Sequence, residues 1–352
     1  MSPLLPNPSH SPNYVPPSAS TAMRMVGSFS FLGPWIASVS FVLFILVFGN
    51  ASEAAPRKIK IVATTGMIAD VARNLAEERA DVVQLIGSGV DPHLYRPTRS
   101  DIAALTSADI VFYNGLLLEG RMTDALVRIA RTGRPVYAVS ERLKPEYLIE
   151  PTGFAGHYDP HVWMDPVAWS ETVDVVKDAL ISFDSPNLEL YTVNAEAYSK
   201  QLADLQNYSA KTLATVPPDK RVLITAHDAF NYFARRYGFK VLGIQGLSTE
   251  SEAGVKDIEH IISFIVKNKI PAVFIESTIS DRNVKALIEG TSVQGHKIVI
   301  GGSLFSDAMG PPGTYEGTYV GMIDHNVTTI TSALSGEAPV RGMLGQLTVK
   351  AE

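Results

Sequence analysis

An α/β fold built on parallel sheets is what this 352-residue chain predicts, and three observations lead there. From Lys58 onward, short β-rich runs alternate with helix-length segments, the pattern of strands wrapped by helices. The alternation occurs twice. Between the two rounds lies one long amphipathic stretch, so the reading is two Rossmann-like domains with parallel sheets joined by one long linking helix. The expected divisions are an N-terminal extension with a signal peptide over 1–54, a first lobe over 55–184, the linking helix over 185–216 and a second lobe over 217–352.

In the first round Ile59–Thr64, Val82–Ile86, Ile110–Tyr113 and Pro135–Val139 read as strands, with helices at Ile68–Ala76, Arg99–Thr106 and Met122–Arg131. The second round offers strands Arg221–Thr225, Lys240–Ile244, Ala272–Glu276 and Lys297–Ile300. Its helices fall at Ala229–Tyr237, Gly254–Asn268 and Asp281–Glu289. The linking helix opens at Asp184-Ser185-Pro186, where Ser185 suits the cap and Pro186 the first helical position. Leu188, Tyr191, Ala195, Tyr198, Leu202 and Leu205 then keep one apolar stripe, and Pro217-Pro218 ends the helix after Val216. At the usual rise per residue it would be a strut of about 45 Å, holding the lobes at a nearly fixed separation.

An apolar fraction of 46% with 19% charged residues is that of a folded globular chain. A net charge of −6 and the lack of any Lys/Arg-rich stripe argue against a nucleic-acid partner. Cysteine is absent, which excludes disulfides, thiolate ligands, cysteine nucleophiles and a lipid-bearing cysteine together. Near the N-terminus Arg24, the apolar run Ile36 to Phe48 and the small residues of Asn50-Ala51-Ser52-Glu53-Ala54-Ala55 follow the order of a secretory signal peptide cleaved before Ala55. Left uncleaved, the stretch from Ser28 to Gly49 is long enough to anchor in a bilayer. Residues 1–22 are uncharged and unlike the start of such a signal, whereas initiation at Met23 or Met25 would give an ordinary one.

Four residues stand out in the irregular stretches that follow strand-like runs: His93, His161, His227 and Asp307. Two of the histidines sit in an Asp-Pro-His tripeptide, where proline fixes φ and bars a helix, so the imidazole rides on a stiff extended loop. His227 directly follows its strand and Asp307 lies a few residues beyond the last one, at carboxyl ends where open parallel sheets bind ligands. Three imidazoles and a carboxylate suit Zn, Mn, Fe or Cu, and the carboxylate partly neutralises a dication. The site is therefore expected in the cleft between the lobes.

Other residues compete for the same role. His157 lies four before His161, but Asp159-Pro160 breaks any helix that would align the two. His260 and His325 fall in helical patterns, and His10 and His296 have no supporting context. Glu276 ends a strand and is the strongest rival carboxylate, better suited to hold a ligating ring than to bind metal. Asp159, Asp165 and Asp228 flank ligands and are expected to orient rings or turns. The sequence contains no Gly-x-Ser-x-Gly elbow, no phosphate-binding Gly-Lys-Ser/Thr loop and no His-Glu-x-x-His helix, and no catalytic residue is assigned.

The stretches Gly89-Val90-Asp91-Pro92-His93, His157 to Asp165, Ile224 to Phe230 and Leu304 to Gly310 resemble the zinc/manganese solute-binding proteins of ABC importers. With Glu316-Gly317-Thr318-Tyr319 they are most similar to the TroA-type branch, and the resemblance runs from about Lys58 to Leu334. It implies Zn²⁺ or Mn²⁺ held between two lobes by His93, His161, His227 and Asp307. It further implies a monomeric periplasmic protein that delivers the ion to an ABC permease in the inner membrane with a cytoplasmic ATPase. Manganese-selective relatives usually carry glutamate where His227 stands, and many zinc-selective ones carry a histidine-rich loop where Leu116 to Gly156 has no histidine. Adhesion to a surface and zinc-dependent hydrolysis are the alternatives. Four protein ligands speak against hydrolysis, since catalytic zinc keeps an open position for water. If neutral imidazoles do the binding, affinity is expected to collapse as they protonate below about pH 6.

Overall fold

The structure is a computed structural model and describes residues 57–151 and 156–349. The signal-peptide reading and His10 lie outside the described residues. Strands β1 (Ile59–Ala63), β2 (Ala80–Gln84), β3 (Ile110–Tyr113) and β4 (Val136–Ala138) form one parallel sheet in the order β2-β1-β3-β4. Their side chains alternate between two cores, as the period of two requires. Ile61, Ala63, Ile110 and Phe112 face one, and Val62 and Val111 face the other. Helix α1 (Gly66–Ala76) covers the first side. On the other side Leu105 of α2 (Arg99–Ser107) packs with Leu126 and Ile129 of α3 (Thr123–Arg131).

The second half differs from a simple repeat. Strands β5 (Val222–His227) and β6 (Lys240–Gln245) form one parallel pair, and β7 (Ala272–Glu276) and β8 (Val299–Leu304) another. The pairs are held to each other by side chains: Ile224 and Ala226 of β5 and Val273 of β7 share a core with Ile261 and Ile265 of α7 (Val255–Asn268) and Leu287 of α8 (Arg282–Val293). Two boundaries shift toward the site. His227 is the last residue of β5 rather than the residue after it, and β8 begins at Val299 and runs to Leu304, beyond the expected Ile300.

Helix α4 (Pro166–Phe183) had no counterpart among the expected elements. Its buried residues Ala168, Trp169, Thr172, Val173, Val175, Val176, Ala179 and Leu180 lie on one half of the helix, a stripe in which small and polar members (Ala168, Thr172, Ala179) weaken the apolar signal. Its start was written in the chain all the same: Asp165 accepts from the backbone N–H groups of Val167 at 3.0 Å and Ala168 at 3.4 Å, and Pro166 takes the first position. The long helix is α5 (Leu188–Leu213), with 26 residues and a length of about 39 Å. It is shorter at both ends than the expected 185–216. Ser185 does not cap it; Ser185–Asn187 form a 3-10 turn, and the Asp184 carboxylate gathers Asn187 Nδ2 at 3.0 Å and Tyr191 Oη at 2.6 Å.

The predicted stripe is buried except at its first member, Leu188, which is exposed. Tyr191, Ala195, Tyr198, Leu202 and Leu205 enter a core that also takes Met67 and Val71 of α1, Trp169 and Val173 of α4, and Tyr319, Ile323 and Val327 of α9 (Tyr319–Ala333). A single core thus spans both halves of the chain, with α5 as its spine. Buried Asp70 on α1 ties the helices together, accepting from Tyr198 Oη at 2.8 Å and from the backbone N–H of Tyr319 at 3.3 Å.

The second tie across the halves is Asp165. Besides capping α4, its fully buried carboxylate accepts from Arg236 Nε at 2.8 Å and Nη2 at 2.7 Å, on α6 (Asn231–Tyr237). A two-pronged guanidinium contact of this kind fixes orientation as well as distance. Asp165→Ala is expected to lower the stability of the metal-free protein by roughly 2–4 kcal/mol, the sum of a lost helix cap and a lost ion-pair partner for an arginine that is only partly solvated. Urea unfolding of the two proteins measures the difference.

Candidate metal centre

His93 and His161 come from the extended Asp-Pro-His loops of the first half, His227 from the end of β5 and Asp307 from the loop after β8. The structure brings all four together. One ligand atom from each lies within 4.8 Å of the others, and all four residues are buried. His93 Nε2 is 3.3 Å from His161 Nε2 and 3.7 Å from Asp307 Oδ2. His161 Nε2 is 3.5 Å from Asp307 Oδ1, and His227 Nε2 is 3.2 Å from Asp307 Oδ2. Four donors about 2.0–2.1 Å from one ion at the centre of a tetrahedron stand about 3.3–3.4 Å apart, so these separations fit a zinc-sized ion. Both oxygens of Asp307 face imidazoles, which permits one or both to coordinate.

Two rings are aimed by the same device. Asp159 Oδ1 accepts from the backbone N–H of His161 at 2.9 Å and meets its Nδ1 at 2.7 Å. Glu276 does this with its two oxygens, taking the backbone N–H of His227 at 2.9 Å and meeting Nδ1 at 2.5 Å. With Nδ1 engaged as donor, Nε2 is the nitrogen left for the centre. His93 is placed by its backbone, which donates to Asp91 Oδ1 at 2.8 Å, while Thr249 Oγ1 from the second half donates to Asp91 Oδ2 at 2.6 Å. Trp163 lies edge-on to His161, ring centroids 5.3 Å apart, and its Nε1 donates to the carbonyl of Ser306 at 2.8 Å, next to Asp307.

At the heart of the site three atoms lack hydrogen-bond partners: His227 Nε2, Asp307 Oδ1 and Asp307 Oδ2. Buried polar atoms are nearly always satisfied, so unpartnered ones converging on one point are an arrangement built for something else. A divalent ion fits the donor set. Electrostatics point the same way. Burial pushes His93 down to about 3, so it stays neutral. Burial also opposes a charge on His227, but the carboxylates of Asp307 and Glu276 outweigh it and hold the imidazole well above its ordinary value. For Asp307 burial works upward, and the positive charge of His227 with the neighbouring rings overcomes it, keeping the carboxyl below the usual range. These carboxylates therefore favour the protonated form of His227 when no ion is bound.

The remaining candidates separate cleanly. Glu276 and Asp159 stand behind rings, and Asp165 caps α4 and holds Arg236 without touching a ring. Asp228 is half-buried, and its carbonyl accepts from Asn231. His260 is exposed on α7, His296 Nε2 meets the carbonyl of Ile270, and His325 Nε2 meets that of Ser303. His157 is exposed in the loop before His161 and is not part of the cluster. Thr249 and Gly243 were not foreseen. A Cβ on Gly243 would lie 2.5 Å from the backbone nitrogen of Asp228 and 2.7 Å from the carbonyl carbon of His227, so only glycine lets β6 pass this close to the ligand. Neither signal could be read locally, because each depends on a strand or loop distant in the chain.

Fold and site together define a class: an α/β protein that buries a closed set of transition-metal donors between two halves tied by a long helix. The chain belongs to the family described as zinc-uptake complex component A, periplasmic, which it matches over residues 61–333. Members of this family are solute-binding transport proteins, not enzymes. The chain is 42% identical over 302 residues to the manganese-binding lipoprotein MntA of Bacillus subtilis, covering 85% of this chain and 98% of the relative. It is 44% identical over 292 residues to the zinc-binding protein TroA of Treponema pallidum, covering 83% and 94%. The iron-binding protein YfeA of Yersinia pestis is 32% identical over 281 residues, covering 80% and 88%. The solved structure of the periplasmic zinc-binding protein TroA from Treponema pallidum superposes with a TM-score of 0.77 at 44% identity, covering 79% of this chain and 99% of that one.

The pH dependence follows from where the proton sits. Burial holds His93 down and the carboxylates of Asp307 and Glu276 hold His227 up, so the loss of affinity is expected to begin below the raised value of His227 rather than only near pH 6. Below the raised value of His227 each pH unit downward is expected to cost about tenfold in affinity, and binding near neutrality to release about one proton. Titration calorimetry of Zn²⁺ in buffers of different ionisation enthalpy counts that proton, and a count of zero would contradict it.

Proposed function

We propose that this chain is the solute-binding component of an ABC importer for Zn²⁺ or Mn²⁺, with His93, His161, His227 and Asp307 as the ligands. The buried convergence of those four donors, three of whose atoms have no other partner, is the observation that carries the reading. Asp159 and Glu276 hold two of the rings so that little rearrangement is left for the ion to induce. The lobes are taken as 55–184 and 217–352, bridged by the helix within 185–216, and the ion is held at their meeting point. The loaded protein, a monomer, docks on a membrane permease driven by a cytoplasmic ATPase.

Export is supported by the family's periplasmic and lipoprotein members, and among the described residues no helix is long and apolar enough to cross a membrane. Cleavage before Ala55 would release the domain into the periplasm. Capture rather than catalysis suits four protein ligands, which leave no obvious open position for a reactive water. No observation favours an adhesin. Three imidazole nitrogens favour Zn²⁺ on intrinsic affinity, whereas the second Asp307 oxygen offers the extra hard donor that Mn²⁺ accepts. Both ions therefore fit.

Competition of Zn²⁺ and Mn²⁺ for the purified protein, read by elemental analysis of the loaded form, tests this. Tight binding of one equivalent of either ion is expected, and its absence would defeat the reading. His227→Glu exchanges a nitrogen donor for oxygen and is expected to move the Mn/Zn affinity ratio upward by about tenfold or more; an unchanged ratio would exclude His227 as a ligand.

A further inference from the structure

His161 and His227 are 0% exposed and Asp307 1%, whereas His93 keeps 4%. That small difference marks a side. A cavity of about 250 Å³ lies there, bounded by His93, by the apolar side chains of Leu116, Leu117, Pro160 and Leu247, and by His157. A second cavity of about 340 Å³ shares Leu116, Leu117 and His157 with the first. His157 thus stands where the two spaces meet, itself exposed to solvent.

The apolar wall is built, not incidental. Leu116 and Leu117 occupy consecutive left-handed backbone positions with φ of 54° and 65°, which side chains other than glycine seldom adopt. Buried Glu119 holds the turn by accepting from the backbone N–H groups of Asn114 at 2.7 Å and Gly115 at 3.2 Å, and Glu141 accepts from that of Leu116 at 3.2 Å. An apolar passage opposes a dication, because it strips hydration without replacing it. An imidazole at the junction supplies a replacement ligand.

We propose that His157 is a transit ligand, binding the incoming ion transiently in this vestibule and passing it to His93. The inference rests on the metal site proposed above. A transit ligand lowers the barrier in both directions and leaves the end states alone, so association and dissociation rates change together.

Stopped-flow association of Zn²⁺ with the full chain, and its dissociation into excess chelator, should both slow in His157→Gln by the same factor of roughly five. That is less than the 10–100-fold commanded by a partner of a bound ligand. The dissociation constant is expected to stay put. Mn²⁺ should slow less than Zn²⁺, since it gains less from imidazole, and His157→Asp, which keeps a donor, should restore most of the rate. Unchanged rates for Zn²⁺ in His157→Gln would overturn the inference while leaving the four-ligand site intact. A weaker dissociation constant at an unchanged association rate would also overturn it, by making His157 a ligand of the bound state. Failure of the unmutated chain to bind either ion would instead overturn the site, and this inference with it.

Discussion

The contact between His227 and Asp307 is the interaction on which the rest of the centre depends. His227 Nε2 and an oxygen of Asp307 face each other at 3.2 Å, both buried and without a hydrogen-bond partner, while Glu276 engages the other ring nitrogen. Left neutral, the pair would leave these buried atoms unsatisfied; ionised, it is a buried ion pair whose desolvation consumes most of its attraction. The protein responds by keeping a proton there, with Glu276 behind His227 adding a second negative charge. A divalent cation bound as proposed would do the same electrostatic work better, because it would engage all four donors at once. Selectivity for a cation over empty space is thus built into the cost of the metal-free state.

Such a state persists only if the surrounding fold cannot relax to relieve it. Asp159 and Glu276 each grip a ring nitrogen and the backbone of the same histidine, which removes ring rotation as an escape. Trp163 joins the His161 loop to the Asp307 loop through the carbonyl of Ser306, and the Tyr319 hydroxyl donates to the carbonyl of Trp163 at 2.8 Å. Behind these lies one apolar core that runs from β1 through α5 to α9. Separating the halves to move the donors apart would open that core, and close-packed interiors yield to such strain only in discrete steps. Rigidity in the spine is what keeps the strain at the site.

Much of this was legible along the chain because the ligands sit where local chemistry announces them. Asp-Pro-His fixes a loop wherever it occurs, and alternation of apolar runs with helix-length segments located all eight described strands, two of them with both ends exact and none off by more than four residues. The stripe on α5 was buried from Tyr191 onward as its spacing required, while Leu188 at the helix start stayed exposed. Helix α4 escaped although its buried residues share one face and Asp165-Pro166 marked its start, because Ala168, Thr172 and Ala179 make that stripe only weakly apolar. The long helix was drawn too long because Ser185 and Pro186 also suit a 3-10 turn, and the decisive acceptor was Asp184. The second half resolved into two strand pairs joined by side chains, a distinction that hydrogen bonding makes and apolar patterning does not.

What the sequence could not carry was reciprocity between distant residues. Glu276 was expected to hold a ring from its place at the end of a strand; only the fold shows that the ring is that of His227, so that the same carboxylate orients it and raises its proton affinity. Asp91 likewise belongs to a ligand tripeptide, yet one of its oxygens answers to His93 and the other to Thr249 across the halves. Through that carboxylate the 246–254 loop is linked to His93, the most exposed of the four residues. The donors most deeply sealed are also those clamped by carboxylates from behind, whereas His93 is held by its backbone alone among the contacts described.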